Sequence, residues 1–554
     1  MVKFSSFNRS ETLRMIEKSQ YDVLVIGGGI TGAGIALDAA SRGLKPVVFE
    51  MQDFAAGTSS RSTKLVHGGL RYLKQFEVKL VADVGKERAI VYENGPHVTT
   101  PEWMMLPFHK GGTFGPVTTN VGLRTYDFLA GVKKTERKKM LSPEEALEKE
   151  PLIKREGLKG AGYYVEYKTD DARLTIEVMK KAVEKGATAI NYVKAVDFIY
   201  DNNNRVIGTL LEDQLTGDTF ECYAKKVINA CGPWVDALRE IDGSKEGKHL
   251  HLTKGVHLVF PQEVFPLKQA IYFDTPDGRM VFAIPRENKT YVGTTDTFYE
   301  GDIAHPTVKR EDRDYLLEAI HFMFPSLQIT NDDVESSWAG LRPLIEEDGR
   351  KPGEISRKDE IFISNSGLIS IAGGKLTGYR KMAEEVVDTI VKQMKTEYGI
   401  LYSKSETEHI PISGGEVGGS KGFEKYKGNM KNEGLSLGIK DEMVQRLIQK
   451  YGANVSVIFT LFKENKEEAI KNNIDPVVFA ELLYGLDYEL VYKPADFFIR
   501  RTGALYFDIN WVKEHETAVV NYLANVFAWS TKAKELYQAE LDRALREATH
   551  PTDS

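Results

Sequence analysis

The chain has 554 residues, too many for one hydrophobic core, so about three domains are expected. Its 42% hydrophobic and 28% charged content is that of an ordinary globular protein, and a net charge of −7 gives no reason to expect nucleic acid. Two cysteines, Cys222 and Cys231, cannot build a disulfide framework, and nothing calls for an oxidising compartment.

The first twenty residues lack the apolar core of a signal peptide, and Ser10 is a candidate cap for a short helix ending at Lys18. No run of about 18 apolar residues occurs, so no segment is expected to span a bilayer. Residues 22–26 form a short apolar run rich in β-branched side chains, expected as a buried strand. It leads directly into Gly27-x-Gly29-x-x-Gly32. Residues 33–42 are small and apolar and predict a helix lying close to a sheet, ended by Arg42 and Gly43. Residues 45–49 predict a second strand, which stops at Glu50. In this unit Gly27 permits a tight turn, Gly29 lets a pyrophosphate approach the backbone, and Gly32 brings helix and strand together. The helix N-terminus offers N–H groups to phosphate, and Glu50 sits where a carboxylate meets a ribose hydroxyl. The unit predicts dinucleotide binding. An acid at position 50 argues against a 2′-phosphate, leaving FAD or NAD rather than NADP. Residues 51–73, dense in Gly, Ser and Thr, suit a loop wrapped around an extended cofactor, with Thr58, Ser59, Ser60, Lys64, His67 and Gly68 as candidate contacts.

The glycine motif followed by Thr58-Ser-Ser-Arg-Ser-Thr-Lys-Leu-Val-His-Gly-Gly-Leu-Arg-Tyr-Leu resembles the FAD-dependent glycerol-3-phosphate dehydrogenases, which are quinone-linked flavoproteins. The resemblance implies an α/β FAD-binding Rossmann-like domain of the glutathione-reductase/D-amino-acid-oxidase type. An α+β antiparallel-sheet substrate domain and an all-α C-terminal domain would complete the chain. The implied boundaries are 1–75, 152–235 and 355–400 for a discontinuous FAD-binding domain, 76–151 and 236–354 for the substrate domain, and 401–554 for the helical domain.

Farther along, helices are expected over 78–94 and 143–149, flanking a strand over 103–109. The basic run 133–139 reads first as a solvated turn and second as a contact for anionic lipid. Residues 172–174 open a helix running to Gly186, with Asp170 or Asp171 as N-cap, and Thr-Asp-Asp-Ala-Arg-Leu here is similar to a stretch of the family. A strand over 187–193 and a hairpin-rich region over 196–212 and 221–228 follow. By the resemblance, Val193 lies beside the adenine and pairs through its backbone. The stretch 227–234 resembles the second strand that returns to the cofactor, with the turn 230–232, including Gly232, near the pyrophosphate. Cys231 is then expected to be buried and unreactive. Residues 250–260 alternate as a half-buried strand placing His249, His251 and His257 on one face. No acid or Cys pattern accompanies them, so no metal is expected. The resemblance selects His257 alone, in Lys-Gly-x-His at the substrate face.

Strands are expected over 280–285 and 290–295, joined by a turn at Glu287 and Asn288. Gly293-Thr294-Thr295-Asp296 and Gly340-Leu341-Arg342-Pro343-Leu344 are similar to family motifs, and Arg357 lies fifteen residues beyond Arg342. Residues 361–371 predict a hairpin ending at Ala372-Gly373-Gly374-Lys375-Leu376-Thr377, before a helix over 379–394. By the resemblance, Gly374 to Thr377 face the flavin ring. From about residue 406 helical periodicity dominates. Met443, Leu447 and Tyr451, with Val444 and Ile448, predict a core-facing stripe, and 477–484, 495–501 and 518–527 predict further helices. Asp496-Phe-Phe-Ile-Arg-Arg-Thr502 resembles a short family signature, and 413–422 reads as a flexible tip.

A flavin oxidises an alcohol by taking a hydride at N5 while a base takes the hydroxyl proton, and a phosphorylated substrate needs cations. The resemblance makes Arg71, Tyr72, Arg357 and Lys375 the phosphate clamp, Arg342 the group orienting the hydroxyls, and Thr295 part of the substrate face. His257 is the first choice of base, because an imidazole pKa lies near working pH. His67 is the second, or else a structural group against the flavin. The implied reaction converts sn-glycerol 3-phosphate to dihydroxyacetone phosphate and passes electrons to a membrane quinone. The protein is then cytoplasmic, held peripherally at the inner face of the cell membrane, with a homodimer open to it. The alternatives are an α-glycerophosphate oxidase reducing oxygen to peroxide, a flavin-containing binding or RNA-modifying protein, and a plain NAD dehydrogenase. RNA binding predicts a basic groove that a net charge of −7 argues against.

Overall fold

The computed structural model describes residues 4–68, 78–129, 136–347 and 359–552. Two sheets organise it. The first runs in the order Glu360–Ile363, Ile369–Ala372, Thr219–Asn229, Gln20–Ile26, Pro46–Phe49, Thr188–Ile190, with Val206–Asp213 and Val193–Tyr200 extending from Thr219–Asn229. Gln20–Ile26 pairs in parallel with both Pro46–Phe49 and Thr219–Asn229. Helices lie across these central strands, which therefore bury both faces and read as continuous apolar runs rather than alternating ones. Ile30–Ser41 packs against Asp171–Glu184 and Tyr379–Tyr398. Gly34 permits the second contact, because a Cβ there would stand 3.0 Å from the Tyr379 ring and 3.1 Å from Ala383 Cβ.

The second sheet is mainly antiparallel: Thr297–Phe298, Lys248–Pro261, Lys289–Gly293, Met280–Arg286, Ala270–Asp274, Thr99–His109, Leu158–Thr169, Leu65–Val66. Ser336–Glu347 pairs along Lys248–Pro261, with His257 opposite Trp338 and Thr253 opposite Arg342. On its other side Lys248–Pro261 sets His257 opposite Gly293. Leu65–Val66 continues directly from the loop after Glu50, so one short segment ties the two sheets together.

After Tyr398 the chain is helical, with Gly419–Ser436, Asp441–Tyr451, Val455–Glu464, Pro476–Tyr488, Ile509–Val526 and Thr531–Thr549 as its longer elements. The anticipated α/β layer, antiparallel sheet and helical C-terminal region are all present. Val444, Leu447, Ile448 and Tyr451 are buried as the stripe required, while Met443 sits at its half-buried edge. Asp496–Arg501 is a π-helical turn rather than part of a regular helix.

Local departures have local causes. Ser10 lies inside the helix Arg9–Glu17, whose N-cap position is Asn8. Residues 187–193 do not form one strand: Tyr192, at φ +57°, breaks it between Thr188–Ile190 and Val193–Tyr200. Of the two candidate caps, Asp170 accepts from the Arg173 N–H at 3.1 Å. Residues 413–422 are not a flexible tip. Ser413 is buried, its N–H donates to the Glu177 carbonyl, and its Oγ takes the Asn454 side-chain amide at 3.1 Å. Residues 133–135 of the basic run 133–139 lie outside the described residues; Lys138 donates to Asn120 Oδ1 at 2.5 Å and Lys139 opens the strand Lys139–Leu141. Among the described residues, no helix is long and apolar enough to cross a membrane.

Candidate active site

A cavity of about 690 Å³ lies between the two sheets, within the roughly 300–1,000 Å³ typical of cofactor and small-ligand sites. Its dinucleotide end is built from the first strand–helix unit. Gly27 sits at φ +116°, and a Cβ there would overlap the Ala230 carbonyl. A Cβ on Gly32 would overlap the Gly27 carbonyl, so only glycine allows the helix this close to the turn. Gly29 occupies the N-cap of Ile30–Ser41 with no side-chain cap of its own, and Gly29, Ile30 and Thr31 line the cavity. Ser59 Oγ accepts from the Ile30 N–H at 3.0 Å, while Thr58 Oγ1 donates to the Leu341 carbonyl at 2.7 Å, fastening the loop to the second sheet.

The Glu50 carboxylate accepts from the Gly28 N–H at 2.7 Å and the Gln52 N–H at 2.9 Å, and it borders the cavity. Burial pushes its pKa up, and the two backbone donors oppose that rise. Val193 also borders the cavity, but its N–H is already spent on the Glu50 carbonyl at 2.8 Å. Gly232, at φ +55°, lies opposite in the return turn. Cys231 beside it donates its Sγ–H to the Ile26 carbonyl at 3.2 Å, and burial raises its pKa, so the thiol is inert.

Three expected cofactor contacts point elsewhere. Lys64 is buried, with its ammonium 2.6 Å from Asp171 Oδ1 and 3.0 Å from the Ser60 carbonyl. It is half of an internal ion pair, not a phosphate ligand. Ser60 is buried and does not line the cavity, and the Gly68 N–H donates to Glu166 Oε2 at 3.2 Å.

At the other end the cavity brings together His257, His67, Arg342, Thr295, Lys375, Leu376 and Thr377 from five separate stretches of chain. His257 stacks on Trp338 with ring centroids 4.7 Å apart and planes 12° apart, and its Nε2 lies 3.0 Å from Thr63 Oγ1. Burial, then the nearby Arg342 and Lys64 charges, hold its pKa well below 6.5. The expectation of an ordinary imidazole pKa is therefore not met: His257 is neutral throughout the working range. His67 is also neutral, its pKa lowered to about 3 by burial, Lys375 and Arg88. Its backbone is bracketed by Thr377, whose Oγ1 accepts from the His67 N–H at 3.0 Å and donates to the His67 carbonyl at 3.1 Å.

Arg342 donates to Thr294 Oγ1 at 2.9 Å, to the Thr295 carbonyl at 3.2 Å and to Asp296 Oδ1 at 3.1 Å. Thr295 Oγ1 is engaged in turn, accepting from the Val256 N–H at 3.1 Å and donating to the Lys254 carbonyl at 3.3 Å. Gly374 is at φ +82°, where a side chain is strained and would also press on Met382. Arg71, Tyr72 and Arg357 lie outside the described residues. His249 and His251 sit near Glu346, toward the other end of their strand from His257.

The sequence reading did not single out Thr63, Trp338 and Glu166, which all bear on the site. Trp338 faces His257 across the strand pair, and Glu166 lines the cavity while accepting from Arg88 at 3.0 Å. Trp338 carried no signal in the sequence: its place opposite His257 comes from the pairing of Ser336–Glu347 with Lys248–Pro261. The glycine cradle, the helix N-terminus and the carboxylate at its far side fit an FAD molecule laid along this cavity.

Residues 22–380 match the FAD dependent oxidoreductase family, and residues 405–534 match the C-terminal domain of alpha-glycerophosphate oxidase. The chain is 60% identical over 551 residues to the aerobic glycerol-3-phosphate dehydrogenase of Bacillus subtilis strain 168, covering 100% of this chain and 99% of that one. It is 57% identical over 549 residues to the protein of that name from Staphylococcus haemolyticus, covering 99% and 98%. The X-ray structure of the glycerol-3-phosphate dehydrogenase from Bacillus halodurans complexed with FAD is similar at TM-score 0.87 and 50% identity, covering 100% of this chain and 99% of that one.

Proposed function

The chain belongs to the FAD-dependent glycerol-3-phosphate dehydrogenase family and takes FAD as its cofactor, and from that premise we propose that it oxidises sn-glycerol 3-phosphate to dihydroxyacetone phosphate and passes the electrons to a membrane quinone. The observation that carries the reading is one cavity with a dinucleotide cradle at one end and His257, Arg342 and Lys375 at the other.

FAD, which Gly27, Gly29, Gly32 and Glu50 would hold at the dinucleotide end, would supply the acceptor for the hydride of the substrate's C2–H bond. His257 is already neutral and takes the hydroxyl proton, leaving a C2=O bond. Trp338 and Thr63 fix the plane and tilt of its ring. Arg342 brings a fixed positive charge beside His257 and stabilises the negative charge that develops on the C2 oxygen as its proton leaves. Lys375, with Arg71, Tyr72 and Arg357, pairs with the phosphate. The first sheet with its helices serves as the FAD-binding unit and the second as the substrate unit; Leu65–Val66 and Leu158–Thr169, expected within the FAD-binding domain, belong to the second sheet. A membrane quinone as acceptor calls for access to a membrane surface, and the same reading has the protein held peripherally at the inner face of the cell membrane.

A second reading, an oxidase passing electrons to oxygen, draws on the match of residues 405–534. Anaerobic mixing of the purified yellow protein with glycerol 3-phosphate, followed at the flavin band, tests both. Bleaching reversed quickly by a quinone and slowly by air is the expected result. Fast reoxidation by air with peroxide favours the oxidase, and no bleaching refutes the substrate.

A further inference from the structure

The two arginines of the segment Asp496–Arg501 do not line the cavity, but both reach Asp53 in the loop that follows Glu50. Asp53 lies three residues after Glu50 and is fully buried. Its carboxylate accepts from Arg501 Nη1 at 2.7 Å and Nη2 at 2.9 Å, from Asn191 Nδ2 at 3.0 Å, and from Arg500 Nε. Arg500 also donates to Asp496 Oδ1 at 2.6 Å, and the Tyr192 hydroxyl donates to the same oxygen at 2.5 Å. Arg501 completes its set on the Glu489 carbonyl, at 2.6 Å from Nη2. The two guanidinium groups thus hold the loop 50–56 directly at Asp53, and the turn 191–193 is tied to the same two carboxylates, Asn191 through Asp53 and Tyr192 through Asp496.

Those segments determine where Glu50 sits. Within the loop, the Ala55 N–H donates to the Gly28 carbonyl and the Ala56 N–H to the Asp53 carbonyl. The Phe54 ring lies directly beneath Gly28, at 2.5 Å from where a Cβ would stand. Across the gap, the Tyr192 N–H donates to the Gln52 carbonyl and the Val193 N–H to the Glu50 carbonyl. Gly28, Glu50 and Asp53 therefore move together or not at all. Burial alone would raise the Asp53 pKa, but Arg501 and Arg500 more than offset it and hold it at about 2.

We propose that the Asp496–Arg501 turn is a latch on the cofactor loop: Arg500 and Arg501, from the C-terminal helical region, hold Asp53 so that Glu50 and Gly28 keep the geometry that retains FAD. They are positioning residues, since they act through Asp53 and Glu50. The planar fork of Arg501 meets both Asp53 oxygens at once, and lysine, a single point charge, cannot reproduce that.

The test measures FAD release from the holoenzyme, read as rising flavin fluorescence after dilution, alongside urea unfolding. Arg501→Lys is expected to speed release at least tenfold at urea concentrations where the protein stays folded. The control is Arg446→Met, which removes a different ion pair of the same helical region, that with Glu481. It is expected to lower the unfolding midpoint while changing the release rate less than twofold. Arg500→Lys, which leaves the Arg501 fork in place, carries the test should Arg501→Lys fail to fold; it is expected to speed release severalfold. An unchanged release rate in the lysine variant tested, or release that tracks the unfolding midpoint equally in the lysine and Arg446→Met variants, overturns the proposal.

Discussion

His97 makes the acid stability of this protein a measurable consequence of burial. Its ring is 2% exposed, lies edge-on to Phe423 at 6.5 Å, and is packed between Gly414 and Gly452, where the helical region meets the rest of the chain. Burial, then the Arg173 and Lys180 charges, lower its pKa to about 3. The folded pKa is below that of the unfolded chain, so the unfolded state takes up the proton first as pH falls. The contribution is fully present above pH 6.5 and is lost as pH falls toward 3. Between pH 7 and pH 5 the loss is about 2 kcal/mol, from an unfolded imidazole near 6.5 at about 1.36 kcal/mol per unit. Urea unfolding at both pH values, for the parent and for His97→Phe, isolates the term. Overpacking by the larger phenyl ring is the same at both pH values and drops out of the comparison. The variant should lose about 2 kcal/mol less than the parent between pH 7 and 5. Equal losses in the two proteins would refute the assignment of a neutral, buried His97.

Three further outcomes follow from the site. Lys64→Met leaves Asp171 charged and buried, so unfolding free energy should fall by about 3 kcal/mol in urea denaturation, while the flavin absorption of the folded protein stays as it was. Gly32→Val places side-chain atoms in the Gly27 carbonyl, and the purified variant should carry less than about a tenth of the parent's flavin, measured by absorbance after release. Arg342→Met removes a charge-assisted hydrogen bond worth about 1.5–3 kcal/mol, so anaerobic flavin reduction at saturating substrate should slow by roughly ten- to a hundredfold with FAD content unchanged.

The dinucleotide end was legible because its demands are local. A tight turn, a close helix approach and a strand-end acid fall within thirty residues of sequence, and each excludes most residue types. Lys64 was misread for the opposite reason. In a Ser/Thr-rich loop beside a phosphate motif a lysine looks like a ligand, and its partner Asp171 is distant in sequence and becomes visible only when the strand Leu65–Val66 lies against Leu158–Thr169. Ser336–Glu347 was not recognised as a strand, since Gly340 and Pro343 interrupt its alternation; its pairing with Lys248–Pro261 makes it one. His257 was found by motif, but its protonation was not, because a pKa depends on burial and on charges brought in from other segments.

That protonation state bears on how the reaction starts. An imidazole buried beside Arg342 and Lys64 is a weak base, since gaining a proton adds a third positive charge to the group. The substrate changes this balance, because its phosphate brings about −1.5 to −2 charge at pH 7 into the same cavity. A dianion among Arg342 and Lys375 offsets the charges that depress His257 and raises its pKa, so binding itself strengthens the base. Linkage then requires that the protein take up protons when the product, dihydroxyacetone phosphate, binds. Calorimetry at pH 6.5 in buffers of different ionisation enthalpy measures that uptake. It should be a net uptake and should shrink in His257→Asn. Proton release by the ligand's own phosphate is common to both proteins and cancels between them. Equal uptake in the parent and the variant would mean that His257 stays a weak base in the complex, and would move the proton acceptor to another group in the cavity.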